Sequence, residues 1–218
     1  MWSTLWRQSL ELISAARCCA CGDACERHSS DALCDRCLNE LALPEGGVQG
    51  DQPLLWCALA PYRGRLRALL LRQRPTPDSA LITALAARLH GCCASAVAGA
   101  LLVPVPSWKQ AGNPLPLLLA RALVATSAGQ AKLAPQLLQR SRPTLGQHHL
   151  GRSLRARNLQ GAFTAQACAE QPARPLWLVD DILTTGATAC SAAQALRAAG
   201  HAVQGLLALA RTPAAAPW

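Results

Sequence analysis

The sequence predicts an α/β fold: a mostly parallel sheet with helices on both faces, preceded by a small four-cysteine zinc module. Three observations carry this expectation. Two Cys-x-x-Cys pairs, Cys18/Cys21 and Cys34/Cys37, stand near the start of the chain. Beyond residue 50, strand-like and helix-like segments alternate, the pattern of parallel βαβ units. An aliphatic run at 176–179 ends in two acids and a Thr/Gly-rich loop, the ligand-facing end of a parallel strand.

The N-terminal part reads first. Trp2, Leu5, Trp6, Ser9, Leu12, Ile13 and Ala16 share one helical face, which predicts a short amphipathic helix packed on its own chain. A Cys-x-x-Cys turn aims two thiolates at one point, and two such turns complete a tetrahedron around Zn²⁺. Twelve residues separate the pairs, and Gly22 suits the tight turn after the second ligand. Cys19 and Cys25 lie close by, but the paired spacing selects Cys18, Cys21, Cys34 and Cys37. Four protein ligands leave no open position, so the zinc is expected to be structural.

Residues 44–50 (Pro-Glu-Gly-Gly-Val-Gln-Gly) have loop chemistry and mark a boundary. Residues 1–50 then form the zinc module and 51–218 the main domain. In order, the main domain reads as a strand at 54–62 and a helix at 63–71 stopped by Pro75 and Pro77. A helix at 79–98, a strand at 100–105 and a helix at 117–126 follow. The strand at 176–179 leads to a helix at 187–199 closed by Gly200, and the last strand covers 203–209. The tail Thr-Pro-Ala-Ala-Ala-Pro-Trp is expected to fray.

Bulk properties bound the function. Hydrophobic residues make up 51% of the chain with only six Trp, one Tyr and one Phe, so the core is aliphatic. No run reaches the ~18 apolar residues of a membrane span. Arg7 and Glu11 interrupt the first segment where a signal peptide is uniformly apolar. Eleven cysteines, an odd number, without an export signal point to reduced thiols and a cytoplasmic protein. Residues 1–51 hold eight acids and four arginines, a net −4, and four thiolates on one Zn²⁺ add −2. Residues 52–218 hold seventeen Lys/Arg and four acids, a net +13, with no acid between Ser79 and Ala169. Any phosphate-bearing partner therefore belongs to the main domain.

The richest stretch is Leu176-Trp-Leu-Val-Asp180-Asp181-Ile-Leu183-Thr184-Thr185-Gly186-Ala187-Thr188. Backbone amides of a tight loop at a helix N-terminus cradle phosphate, and the helix dipole adds to the attraction. Gly186 permits close backbone approach, and Thr184, Thr185 and Thr188 offer hydroxyl donors. Carboxylates do not bind phosphate, but they accept hydrogen bonds from a ribose diol. Asp180 and Asp181 beside this loop thus point to a sugar 5-phosphate.

This stretch resembles the phosphoribosyl pyrophosphate (PRPP) signature of type I phosphoribosyltransferases. The zinc knuckles, Val103-Pro-Val-Pro106, Arg155-Ala-Arg157-Asn-Leu-Gln-Gly161-Ala-Phe163 and the acid-loop stretch follow the order found in ComF/GntX proteins. The resemblance implies a type I phosphoribosyltransferase-like domain behind a zinc finger, and a link to competence for DNA uptake. It implies PRPP with Mg²⁺, the ribose hydroxyls on Asp180 and Asp181, and the 5-phosphate on Leu183 to Thr188. It implies diphosphate contacts from Lys109 and from Arg155 and Arg157 in a closing loop. The chain departs from the family at 107–116, where of an R-G-F-N-Q-like segment only Gly112 persists, and at Arg72-Gln-Arg74-Pro, where the family has K-Y-x-G.

Two readings stand. One is an enzyme that transfers phosphoribosyl groups. The other is a non-catalytic single-stranded DNA-binding or adaptor protein, working with other competence proteins. In the second, the loop takes a backbone phosphate and the Arg63, Arg65, Arg67, Arg72 and Arg74 cluster tracks the strand.

Overall fold

The computed structural model describes residues 17–24, 32–107, 112–141, 161–169 and 174–213. The expected helix at 2–16, Cys25, Trp108 and Lys109, the basic stretch with Arg155 and Arg157, and the Pro/Ala-rich tail lie outside these residues. In chain order the elements are α1 (Asp35–Leu41), β1 (Val48–Gly50), β2 (Trp56–Pro61), α2 (Gly64–Gln73), α3 (Ser79–Val97), β3 (Leu101–Pro104) and α4 (Leu115–Thr126). Then come β4 (Lys132–Leu133), a 3-10 turn (Pro135–Leu137), β5 (Leu138–Arg140), β6 (Phe163–Ala165), β7 (Pro175–Leu183), α5 (Ala187–Ala198) and β8 (Ala202–Arg211).

The fold is mixed α/β. Six strands form one sheet in the order β1-β2-β8-β7-β3-β4. All its pairings are parallel except β1 with β2. Strands covered on both faces need apolar residues at every position, which is why the 176–179 run shows no polar alternation. In β7, Leu176 and Leu178 pack on one side with Ala189, Ala193 and Leu196 of α5. Trp177 and Val179 pack on the other side with Leu66 and Leu70 of α2, Leu85 and Leu89 of α3 and Leu119 of α4. The expected helices on both faces are present.

Several elements differ from the sequence reading. The central strand runs four residues past Val179, because β8 keeps pairing with it as far as Leu183↔Arg211. The acids therefore lie within the strand. Val48–Gly50, read as loop, is an antiparallel edge strand on β2. The strands β4, β5 and β6 span two or three residues each, too short to show a period. By length and composition α3 is apolar enough to cross a membrane, a feature that counting uninterrupted apolar residues missed because Arg88 and His90 fall inside it. Here Leu81, Ile82, Leu85 and Leu89 bury one side of α3 in the core. Its start is capped by Asp78, whose Oδ1 accepts from the amides of Ala80 (2.8 Å) and Leu81 (3.3 Å).

Topology fixes where a ligand can sit. From β3 the chain passes through α4 to β4 on one side, and from β7 through α5 to β8 on the other. The crevice at the C-terminal ends of β3 and β7 is thus the switch point, the usual ligand site of open parallel sheets. Pairing of β3 with β7 ends at Pro104↔Val179, one residue before Asp180.

Two glycines test this packing. Gly91 in α3 has open space where a Cβ would stand, so Gly91→Ala should stabilise the protein by about 0.5–1 kcal/mol. At Gly205 a Cβ would meet the Leu55 carbonyl oxygen and come within 2.7 Å of Trp177 Cζ3. Gly205→Ala should cost roughly 1–3 kcal/mol. Urea unfolding of the two variants should show shifts of opposite sign.

Candidate functional site

The four selected cysteines converge. The Sγ atoms of Cys18, Cys21, Cys34 and Cys37 all lie within 4.8 Å of one another. Cys21 Sγ and Cys34 Sγ are 3.8 Å apart, matching the S···S edge of about 3.8 Å implied by Zn–S bonds of ~2.3 Å in a tetrahedron. The amides of Ala20 and Cys34 donate to Cys18 Sγ at 3.4 and 3.3 Å. Burial pushes the Cys18 thiol up, but these amides outweigh it and hold the group down at about 6. In the same cluster, burial and the neighbouring thiols push the Cys37 thiol up, so the four groups compete for one negative charge in the absence of a cation. The cluster fits a structural metal such as zinc. It also packs on the main domain: Cys18, Leu33, Cys37 and Leu41 join the same core as Leu66 and Leu70. Glu40 at the end of α1 lies 3.3 Å from Arg65 of α2.

The second assembly lies at the switch point. Successive side chains of a strand point to opposite faces, so Asp180 and Asp181 diverge. Asp181 is 2% exposed. Its Oδ2 accepts from Arg74 Nε at 2.8 Å and from Asn113 Nδ2 at 2.9 Å. Arg74 caps the C-terminus of α2, and Asn113 sits in the segment before α4, where its own Oδ1 accepts from the Leu115 amide. Asp180 is half-buried, and its Oδ1 accepts from the Asp181 amide at 2.9 Å. Burial, then the negative charge of Asp181, raises the Asp180 carboxyl well above the ordinary carboxylate value. Arg140, whose Nε donates to the Pro106 carbonyl at 3.1 Å and whose guanidinium lies over Phe163, feels the charge of Asp180.

The loop after β7 is braced from outside. Arg211 at the end of β8 donates to the carbonyls of Leu183 (3.2 Å) and Thr184 and stacks over Trp56. Trp56 Nε1 donates to the Gln52 carbonyl at 3.0 Å. Thr184 is exposed, Thr185 is half-buried, and the Ala187 amide donates to Thr185 Oγ1 at 3.4 Å. Gly186 has φ +80°, which a side chain rarely tolerates. The sequence reading gives Gly186 the task of approaching phosphate. At its α-carbon Gly186 lies against Pro53, whose Cδ would be 2.9 Å from a Cβ built there. The first intrahelical bond of α5 runs from the Cys190 amide to the Gly186 carbonyl, 2.8 Å. The amides of the first turn are left to other partners, as at every helix start.

The structure thus gathers Asp180, Asp181 and Leu183 to Thr188 at one sheet end, and the four cysteines at another place. Lys109, Arg155 and Arg157 lie outside the described residues. Sequence reasoning gave Asn113 and Arg211 no role at the site, and grouped Arg74 with the basic cluster assigned to a DNA strand rather than with Asp181. Arg74 stands 107 residues from its acid, and no local pattern signals such a pairing. The nearest hint was the absence of any acid between Ser79 and Ala169, which leaves few carboxylates to neutralise the arginines.

Comparison with known proteins gives a distant, partial likeness. DNA utilization protein YhgH of Salmonella typhi and of Salmonella typhimurium are each 42% identical to the chain over 79 residues, 35% of this chain and 33% of theirs. That of Escherichia coli O157:H7 is 38% identical over 77 residues, again 35% and 33%. The matched region therefore spans about a third of the length of these curated relatives. No family model matches the chain.

Two outcomes follow from this geometry. Metal analysis of reduced protein should find about one ion per chain in the thiolate cluster. Cys34→Ser should abolish it, with loss of the α1 packing on α2 visible by hydrogen exchange. For Asp180, the folded chain holds the proton more tightly than the unfolded chain. Stability therefore falls as pH climbs from the ordinary carboxylate range through the raised folded value. Asp180→Asn should raise the melting temperature at neutral pH, and the gain should vanish below about pH 4.

Proposed function

We propose that the chain binds PRPP or a related ribose 5-phosphate at the switch point between β3 and β7, as part of DNA utilisation in the cytoplasm. The observation that carries this reading is the adjacency of an acid pair and the Thr184-Thr185-Gly186-Ala187-Thr188 loop at the C-terminal end of a central parallel strand. The domain is then type I phosphoribosyltransferase-like, in keeping with the ComF/GntX resemblance. The amides and hydroxyls from Leu183 to Thr188 hold the 5-phosphate, and Asp180 accepts from the ribose hydroxyls. Lys109, Arg155 and Arg157 add positive charge around the diphosphate. Mg²⁺, when bound with PRPP, neutralises phosphate oxygens. Of the two acids, Asp180 fits its oxygen-ligand chemistry, because Oδ2 of Asp181 already accepts two hydrogen bonds. The thiolate cluster holds Zn²⁺ as a structural ion. In the enzymatic form of this reading, negative charge at Asp180 stabilises the oxocarbenium character that builds at C1 as pyrophosphate leaves.

A second reading has its own observation. Arg63 just before α2 and Arg65, Arg67 and Arg72 within it are exposed and make its solvent side basic, and the helix ends at Arg74 beside the acid pair. On this reading the protein is a non-catalytic single-stranded DNA-binding or adaptor protein among competence proteins, with the basic face following the phosphate backbone.

Calorimetric titration with PRPP, ribose 5-phosphate, inorganic phosphate and short single-stranded DNA separates the readings. PRPP and ribose 5-phosphate should bind, and Asp180→Asn should weaken both by about one to two orders of magnitude while leaving inorganic phosphate unchanged. An Asp180→Asn variant that binds PRPP as the parent does counts against the ribose contact. DNA binding that falls steeply with salt, without sugar-phosphate binding, establishes the second reading instead.

A further inference from the structure

We propose that Arg74 is the oxyanion fork of this site, taking the diphosphate end of the ligand, and that Asp181 and Asn113 are the groups that hold it in position. The inference rests on the sugar-phosphate reading above and deepens it.

A guanidinium offers five N–H donors in a rigid plane. In Arg74 the Nε edge is taken by Asp181 Oδ2 at 2.8 Å. Neither Nη atom has a hydrogen-bond partner among the described residues, and neither is a buried unsatisfied atom. The Arg74 side chain is 36% exposed, whereas that of Asp181 is 3% exposed. One edge of the fork is therefore anchored in the protein while its Nη groups reach solvent. That is the arrangement a bidentate oxyanion contact needs. A carboxylate with only structural duties would be served as well by a fully enclosed cation.

The anchor is itself held. Asn113 Nδ2 donates to the same Oδ2 at 2.9 Å, while its Oδ1 accepts from the Leu115 amide at 3.2 Å and its own amide donates to Ser107 Oγ at 3.1 Å. The segment between β3 and α4 is thereby tied to Asp181, and Asp181 to Arg74. All three groups belong to the α2/α4 side of β7, whereas α5 packs on the opposite side. A ribose carrying phosphate at C5 and diphosphate at C1 has charge at both ends. With the 5-phosphate at the start of α5 and the sugar on Asp180, the C1 end points toward Arg74. Ribose 5-phosphate has nothing to offer there, so Arg74 discriminates between the two ligands.

Arg74→Lys separates this role from a merely structural one. Lysine keeps a cation for Asp181 but has no second edge, so it can meet the acid or the ligand and not both. The measurement is calorimetry with PRPP, inorganic diphosphate and ribose 5-phosphate, alongside thermal unfolding. Arg74→Lys should unfold near the parent temperature, lose about tenfold or more in affinity for PRPP and diphosphate, and bind ribose 5-phosphate as the parent does. Asn113→Ala, which loosens the anchor without altering either acid, should show the same split and serves as the second variant should Arg74→Lys fold poorly. If PRPP binding is unchanged in a folded variant, or if all three ligands weaken alike, Arg74 is not the fork. A parent protein that binds neither PRPP nor ribose 5-phosphate overturns the sugar-phosphate reading, and this inference with it.

Discussion

A carboxylate at 2% exposure must be paired, because stripping water from an isolated charge costs several kcal/mol or more. Asp181 meets that demand with two donors from distant parts of the chain, Arg74 at the end of α2 and Asn113 before α4. The demand is what makes the site. It fixes the exit of α2, the approach to α4 and the C-terminal part of β7 relative to one another, at the point where the strand order reverses. Removing one partner leaves a buried charge uncompensated, so the three segments are coupled more strongly than an exposed ion pair could couple them.

Around this centre the packing divides into two cores, one on each face of the sheet. The thiol cluster belongs to the same core as α2, α3 and α4, with Cys18 at 1% and Cys37 at 2% exposure. Metal binding to the cysteines is therefore linked to the helix that ends at Arg74: α1 touches α2 through Glu40 and Arg65, and α2 delivers its last side chain to Asp181. A module that carries net negative charge is thereby coupled through packing to the buried Asp181–Arg74 pair.

The opposite face is held by different means. Arg211 grips the carbonyls of Leu183 and Thr184, Trp56 lies under Arg211, and Pro53 closes over Gly186. The loop before α5 is thus preformed, which spares a ligand the cost of ordering it. Asp180, on the strand next to Asp181, has a carboxyl that burial and a like-charged neighbour make costly to ionise. Such a group opposes folding, and chains retain costly groups chiefly where the chemistry needs them.

Much was legible in the sequence because it was local. Cysteine spacing alone selected the four thiols that converge, since a Cys-x-x-Cys turn sets its own geometry. The aliphatic run, the acids and the Thr/Gly loop lie within thirteen residues, so their order named both the strand and the helix that follows. Helix α3 was read nearly to its ends from the period of Leu81, Leu85 and Leu89; its Asp78 cap emerged only in the structure. The tertiary structure decided the rest. Arg74, Asn113 and Arg211 reach the site across 107, 68 and 27 residues, distances over which sequence carries no periodic signal. Pro53 against Gly186 arises the same way, from two segments that only the sheet brings together. Composition sets which groups a chain must pair, but which pairs form depends on where strand order and helix packing place their backbones.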